Sequence, residues 1–179
     1  VVTDVGSIKW LLRAIINTKI LVPILLRAGA GTMGFALPAA MGAKVAAPHK
    51  QVVAVIGDGG YQMTVQELGT IMQYKIPVKI LVLNNSFLGM VRQWQQLFHG
   101  KRYSFTEMQN PNFVKIAEAY NIPAAKVTEQ KNLEAELKKM LASETSYFLE
   151  VVVEKEDNVF PMVPAGAGVA EVILEIPKH

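Results

Sequence analysis

Two short motifs in this chain could do chemistry, and each closes an apolar run. Val52-Val53-Ala54-Val55-Ile56 leads into Gly57-Asp58-Gly59-Gly60, and the run 78–83 leads into Asn84-Asn85. Mg2+ takes near-octahedral oxygen ligands and commonly shares them with a phosphate. One carboxylate, Asp58, one amide oxygen, Asn85, and one backbone carbonyl therefore suffice when phosphate oxygens and water complete the shell. The glycines around Asp58 have no side chains to keep the backbone from a phosphate, and Gly59 or Gly60 can take a positive φ that points amide hydrogens at it. Gly-Asp-Gly alone is weak, because Asp-Gly turns after strands are common. Its weight comes from the Asn pair at the end of the next strand-like run.

Such motifs need elements that bring them together. Strand-like runs at residues 1–5, 51–56, 78–83, 124–127 and 147–153 alternate with helix-like stretches at 33–46, 65–74, 88–98, 112–120 and 133–142. This alternation predicts the α/β class, a parallel sheet with helices on both faces. Thr64 with Glu67 predicts a capping box, and Asn110 before Pro111 predicts a cap followed by a first-turn proline. Asp58 and Asn85 then fall just past strand C-termini, where open parallel sheets bind ligands.

The bulk properties narrow the function classes. The chain has 179 residues, a net charge of +3, 51% apolar residues and no cysteine. That length suffices for one full core. No basic block with interleaved aromatics is present, which argues against a nucleic-acid partner. The absence of cysteine excludes disulfides and thiolate metal sites and agrees with a cytoplasmic location. The one apolar stretch of interest, 20–26, is too short to span a membrane and is bounded by Lys19 and Arg27. The opening run, 1–5, starts in mid-strand, which predicts that the chain is part of a longer polypeptide.

Gly57-Asp58-Gly59-Gly60 followed by Asn84-Asn85 is the spacing by which thiamine diphosphate enzymes hold Mg2+ and the cofactor's diphosphate. From Gly31 onward the chain resembles the C-terminal, diphosphate-binding domain of the acetohydroxyacid synthase (acetolactate synthase) catalytic subunit. The resemblance rests on Gly31-Thr32-Met33-Gly34-Phe35-Ala36-Leu37-Pro38-Ala39-Ala40, Gly57 to Met63, Asn84-Asn85, Leu88-Gly89-Met90-Val91-Arg92-Gln93-Trp94-Gln95 and Asn158-Val159-Phe160-Pro161-Met162-Val163-Pro164. It implies the thiamine diphosphate-binding fold, with residues 1–179 as one C-terminal domain and 156–179 as a tail or lid. It also implies an enzyme that joins pyruvate to a second pyruvate or to 2-oxobutyrate with loss of CO2, in branched-chain amino-acid biosynthesis.

The same resemblance implies the roles of individual residues. Asp58, Asn85 and the Phe87 carbonyl would ligate Mg2+, and Gly59 and Gly60 would donate amides to the diphosphate. Gly31 and Met33 would hold the aminopyrimidine, although Met33 also reads as a core methionine near a helix start. Met90, which also counts among the cofactor contacts, would form the acceptor pocket with Val91 and Trp94. Met90 and Trp94 share a helix face at i, i+4 spacing, and an indole wall would favour the extra methyl of 2-oxobutyrate by about 1–3 kcal/mol. An ordinary buried helix face has the same spacing. Residues 160–167, with two prolines and one glycine, read as a lid or as a frayed terminus. Arg92 reads either as a substrate contact or as a surface charge, and His49, His99 and His179 read as solvated.

No catalytic residue is expected within this chain. The activating glutamate of the resembled family lies in a separate pyrimidine-binding domain, so the chain would be inactive alone. FAD would be held mostly by another domain of the full-length protein. A homodimer or higher oligomer and a small regulatory subunit are further implications. The alternatives are another thiamine diphosphate carboligase, decarboxylase or oxidase, and a non-catalytic module that keeps the fold.

Between Gly6 and Gly31 the resemblance fails. Family members usually read Gln-His-Gln-Met where this chain has Ser7-Ile8-Lys9-Trp10, and the Gln-His pair helps to hold the diphosphate. If the gene writes these four residues as AGC ATC AAA TGG, preceded by C, regrouping one base earlier reads CAG CAT CAA ATG, which encodes Gln-His-Gln-Met. Arg27-Ala28-Gly29-Ala30 regroups in the same way to a codon ending in CG followed by Ser-Gly-Gly. A base lost near Gly6 and regained near Ala30 accounts for the mismatch. Real divergence is the rival explanation, with one polar anchor lost.

Overall fold

The structure is a computed structural model that describes residues 1–5, 25–26 and 31–176. Its centre is a six-stranded sheet of β1 (Val2–Thr3), β2 (Leu25–Leu26), β3 (Val52–Gly57), β4 (Val78–Asn84), β5 (Ala124–Val127) and β6 (Tyr147–Val152). The strand order is β2-β1-β3-β4-β6-β5 and every pairing is parallel. Among the described residues the α-helices are α1 (Ala36–Ala46), α2 (Asp58–Met63), α3 (Glu67–Tyr74), α4 (Gly89–Phe98), α5 (Phe113–Ala119) and α6 (Gln130–Ala142).

Strand alternation builds a core on each face of the sheet. Val52, Ala54 and Ile56 of β3 and Val78, Ile80 and Val82 of β4 point to one side. There they pack with Leu37, Ala40 and Met41 of α1, Leu68 and Ile71 of α3, and Phe113 and Ala117 of α5. Val53, Leu81 and Leu83 point to the other side and join Leu149 and Val151 of β6 with Leu133, Leu137 and Met140 of α6. Apolar runs without polar alternation are what a sheet covered on both faces requires. The predicted α/β arrangement is therefore the one observed. Among the described residues no helix is long and apolar enough to cross a membrane.

Several local expectations fail for identifiable reasons. β2 falls in the stretch weighed only as a membrane candidate, and two residues are too few to show a period. Residues 58–63 form a helix that two glycines argue against. α1 begins at Ala36, not residue 33, because Gly31 and Gly34 have φ of +59° and +80° and hold the preceding residues in a turn. The Thr64 capping box does not form: Gln66 is the cap of α3, and the Thr64 hydroxyl donates to the Gly34 carbonyl at 3.3 Å. Nor does Asn110 cap α5. Asn112 does so, accepting from the Lys115 N–H at 3.0 Å, which leaves Asn110 free for another task.

The strand order places the site. From β1 the chain passes to β2 on one side and then to β3 on the other. The topological switch therefore lies between the carboxyl ends of β1 and β3, the crevice where open parallel sheets take ligands. Asp4 follows β1 and its N–H donates to the Val55 carbonyl at 3.0 Å. Asp58 follows β3, and Gly57 pairs with Leu83, so that Asp58 stands level with Asn84.

Candidate functional site

At this end of the sheet lies a cavity of about 440 Å3, within the roughly 300–1,000 Å3 common for small-molecule sites. Gly31, Met33, Asp58, Gly59, Gly60, Asn85, Phe87, Met90 and Val91 all line it. The remainder of the lining includes Asp4, Glu154 and Asp157 and, among the described residues, no Lys, Arg or His. Trp94 is not part of this cavity. It is half exposed and lines a separate depression with Val91, Gln95, His99 and Arg102. Val91 borders both, so the predicted Met90–Val91–Trp94 wall is split between two surfaces.

Asp58 is 2% exposed, and burial pushes its carboxyl above the ordinary value of 3.8. The Asn110 amide and the N–H groups of Gly59 and Ser86 partly oppose that rise. Asn110 Nδ2 donates to Asp58 Oδ2 at 2.7 Å and to Asn84 Oδ1 at 2.9 Å. Its own carbonyl accepts from Gln62 Nε2 at 2.8 Å. Asn84 Nδ2 donates in turn to Glu150 Oε1 at 2.7 Å, which Lys126 Nζ meets at 2.9 Å. The two members of the Asn pair thus divide the work. Asn84 is buried in the polar chain that fixes Asp58, whereas Asn85 lines the cavity.

The turn after β4 presents the remaining oxygen donors. Asn85 Oδ1 accepts from the Phe87 N–H at 3.1 Å, and Ser86 turns the chain with a φ of +56°. Phe87 bridges Glu107, but the bonds of that bridge run from the Leu88 N–H to Thr106 and from the Met108 N–H to Ser86. The Phe87 carbonyl therefore stays outside the ladder. A buried carboxylate, an amide oxygen and a free carbonyl suit a hard divalent ion that shares its shell with phosphate. Among the described residues no group of three His, Cys, Asp or Glu could hold a metal, so an ion here needs oxygens from a ligand. A diphosphate alone would face four carboxylates, which makes a bridging cation the condition for its entry. The residues present fit thiamine diphosphate with Mg2+.

The glycines serve through closeness and not through a positive φ, which neither Gly59 nor Gly60 has. A Cβ on Gly59 would meet Leu88 Cδ2 at 3.0 Å and Met33 Cε at 3.3 Å, and one on Gly60 would overlap the Asp4 carboxylate. Met33 accordingly reaches across to the Asp58 turn and is not a core methionine; it is 36% exposed.

The tail closes one side of the cavity. Val153, Glu154 and Asp157 to Phe160 line it, and α4 grips this segment. Arg92 is fully buried and donates to the Asp157 carbonyl at 2.9 Å and Asn158 Oδ1 at 2.6 Å. Gln93 donates to the Val159 carbonyl and accepts from its N–H, each at 2.9 Å. Arg92 is thus neither a substrate contact nor a surface charge. His49 and His99 are exposed as expected, while His179 and, apart from Leu25–Leu26, the mismatched stretch lie outside the described residues. Sequence reasoning missed Asn110, Asp4 and Arg92. The signal for Asp4 was its place after the first apolar run, parallel to that of Asp58.

Comparison with known proteins agrees with this geometry. Residues 4–151 match the family model "Thiamine pyrophosphate enzyme, C-terminal TPP binding domain". The chain is 45% identical over 177 residues to the acetolactate synthase isozyme 2 large subunit of Escherichia coli, covering 97% of this chain and 32% of that protein. It is 49% identical over 146 residues to the mitochondrial acetolactate synthase of Schizosaccharomyces pombe, covering 82% and 22%. It is 40% identical to a probable acetolactate synthase large subunit of Methanocaldococcus jannaschii, covering 98% and 30%. A solved structure, the thiamine diphosphate-dependent 4-hydroxybenzoylformate decarboxylase of Rhodococcus jostii RHA1, superposes with a TM-score of 0.69 at 32% identity, covering 75% of this chain and 25% of that one. The chain spans about a third or less of the length of these proteins. A match over most of the residues, on a sheet whose switch point carries an oxygen-donor site, makes this chain a member of the thiamine pyrophosphate enzyme family, as its C-terminal TPP-binding domain.

Proposed function

We propose that this domain serves an acetolactate synthase, which condenses pyruvate with pyruvate or 2-oxobutyrate and releases CO2 in branched-chain amino-acid biosynthesis. The observation that carries the proposal is the buried Asp58 carboxylate, held by Asn110 in a cavity whose charged lining, among the described residues, is acidic. Asp58, Asn85 and the Phe87 carbonyl hold Mg2+, and Gly59 and Gly60 let the diphosphate approach the backbone. Gly31 and Met33 meet the aminopyrimidine across the cavity. Thiamine diphosphate, when bound, supplies the electron sink that decarboxylation of a 2-oxoacid needs.

The chain's own contribution is to bind and orient that group and to keep water out. Met90 and Val91 form an apolar floor for the 2-oxoacids, and the tail from Val153 to Phe160 covers it. Trp94 would act on the acceptor only indirectly, through Val91, which borders both the cavity and the neighbouring depression. The complete protein acts in the cytoplasm as a dimer or higher oligomer, with FAD in another domain and a small regulatory subunit as partner. The experiment is to incubate the complete protein with pyruvate, thiamine diphosphate and Mg2+ and to measure acetolactate, with and without 2-oxobutyrate. Acetolactate formation that disappears in Asp58→Ala supports the proposal.

A second reading is a thiamine diphosphate decarboxylase, favoured by the likeness to the Rhodococcus decarboxylase and by the position of Trp94 outside the main cavity. Release of free aldehyde in place of a condensation product would decide for it.

A further inference from the structure

Asp4 is a second buried carboxylate in the cavity wall, 2% exposed, that the proposed chemistry leaves without a role. Its Oδ2 accepts the Gly34 N–H at 2.9 Å and its Oδ1 the Phe35 N–H at 3.3 Å. Phe35 is the cap of α1 and offers no side-chain acceptor of its own. The N–H of a cap residue has no acceptor within its own helix, and for Phe35 and the preceding Gly34 the acceptor comes from the residue that follows β1. The Asp4 main chain is itself tied to β3 through the Val55 carbonyl.

Two close approaches lock this arrangement. Gly34 adopts φ +80°, and a Cβ there would meet Thr64 Cγ2 at 3.1 Å and Met63 Cβ at 3.2 Å. A Cβ on Gly60 would overlap Asp4 Oδ2. The carboxylate is therefore wedged between the turn that carries Gly31 and Met33 and the turn that carries Asp58 to Gly60. Both of its oxygens face backbone N–H groups, so an Asn in its place would turn an NH2 against a donor.

We propose that Asp4 is a positioning residue that fixes the Gly31–Phe35 turn against the Asp58 turn, and thereby sets Gly31 and Met33 to receive the pyrimidine of thiamine diphosphate. The inference rests on the cavity being the cofactor site. It assigns Asp4 no metal and no phosphate contact. Its loss should therefore weaken recognition of the organic half of the cofactor and spare the diphosphate half.

The test uses Asp4→Asn in the complete polypeptide and two probes titrated with Mg2+ present: thiamine diphosphate and inorganic pyrophosphate. The expected result is a loss of about tenfold or more in thiamine diphosphate affinity with pyrophosphate affinity unchanged. Unchanged affinity for both probes overturns the proposal, and so does an equal loss of both, which would make Asp4 a support of the whole cavity. If the unsubstituted protein binds neither probe, the cofactor reading itself fails and not the role of Asp4. Should Asp4→Asn not fold, Gly34→Ala disturbs the same turn from its other end, through both the positive φ and the Thr64 contact. It must then show the same split between the probes, and an equal effect on both overturns the proposal.

Discussion

Asn110 holds Asp58 from behind: one amide hydrogen reaches Asp58 Oδ2 at 2.7 Å while the other reaches Asn84 Oδ1 at 2.9 Å. A single side chain thereby joins the ends of β3 and β4 and chooses which carboxylate oxygen remains for a ligand. Partners that orient a metal ligand typically carry a 10–100-fold effect on affinity. Asn110→Ala should therefore weaken Mg2+ dependence by about tenfold or more while leaving the fold intact, since the residue is only half buried. Titrating Mg2+ against thiamine diphosphate binding measures this, and an unchanged Mg2+ requirement would remove Asn110 from the site.

Asp58 trades stability for binding. Burial disfavours its charged form, and among the described residues no cation lines the cavity to compensate. Asp58→Asn keeps an oxygen for the Asn110 amide and removes the charge. Without metal, the variant should melt at or above the temperature of the parent protein. A ligand present at about a hundred times its dissociation constant adds roughly 2.7 kcal/mol. That increment, given by Mg2+ with thiamine diphosphate, should be absent from the variant. Thermal melts with and without the pair check both statements, and a variant that still gains the increment would take Asp58 out of the metal shell.

How much of this site can be read from residues alone depends on whether a signal is local. Asp58 and Asn85 stand out because each ends an apolar run and their spacing repeats a known pattern. Asn84 and Asn85 cannot be told apart at that level. Only the register with β6, where Asn84 pairs with Val152, shows which one turns into the polar chain toward Glu150. Asn110 and Asn112 flank Pro111, and cap chemistry suits either; the choice is made by Asp58, 52 positions away. Asp4 and Arg92 act on backbone atoms of distant segments, and no period or motif encodes such a contact. The apolar strands, in contrast, are legible throughout, since β3, β4 and β6 each bury side chains on both faces.

Residues 7–30 carry a mismatch that chemistry can settle directly. A frame displacement predicts Gln-His-Gln-Met in place of Ser7 to Trp10, and tandem mass spectrometry of the peptide from Gly6 to Gly31 reads it. Finding Ser-Ile-Lys-Trp would establish real divergence, and weaker diphosphate affinity should then accompany it.

Arg92 separates local from global stability. Its partners in the tail, the Asp157 carbonyl and Asn158 Oδ1, are neutral, so the bonds return little more than the cost of burying a guanidinium. Arg92→Met keeps the stem and removes the donors. Global melting should move little, whereas the tail loses charged hydrogen bonds worth about 1.5–3 kcal/mol each. Limited proteolysis should accordingly cut within 157–162 at least about tenfold faster. An unchanged cleavage pattern would show that Gln93 and Gln96 secure the tail without Arg92.

Asp4 should leave a signature in the pH dependence of stability. Burial raises its carboxyl above 3.8, with the N–H groups of Gly34, Val5 and Phe35 opposing the rise. Between the ordinary value and the raised one the folded state binds more protons than the unfolded state, so stability falls as pH rises through that window. The favourable contribution is fully present below 3.8 and is lost above the raised value, the reverse of a salt-bridged aspartate. Asp4→Asn cannot titrate there. Asp58 is raised as well, but it is present in both proteins and cancels in their difference. The stability of the parent minus that of Asp4→Asn, measured by denaturant melts without metal, should therefore decline as pH rises above 3.8, by at most about 1.4 kcal/mol per pH unit for one proton. A difference that grows with pH would mean that the N–H groups of Gly34 and Phe35 outweigh burial and hold the carboxylate charged.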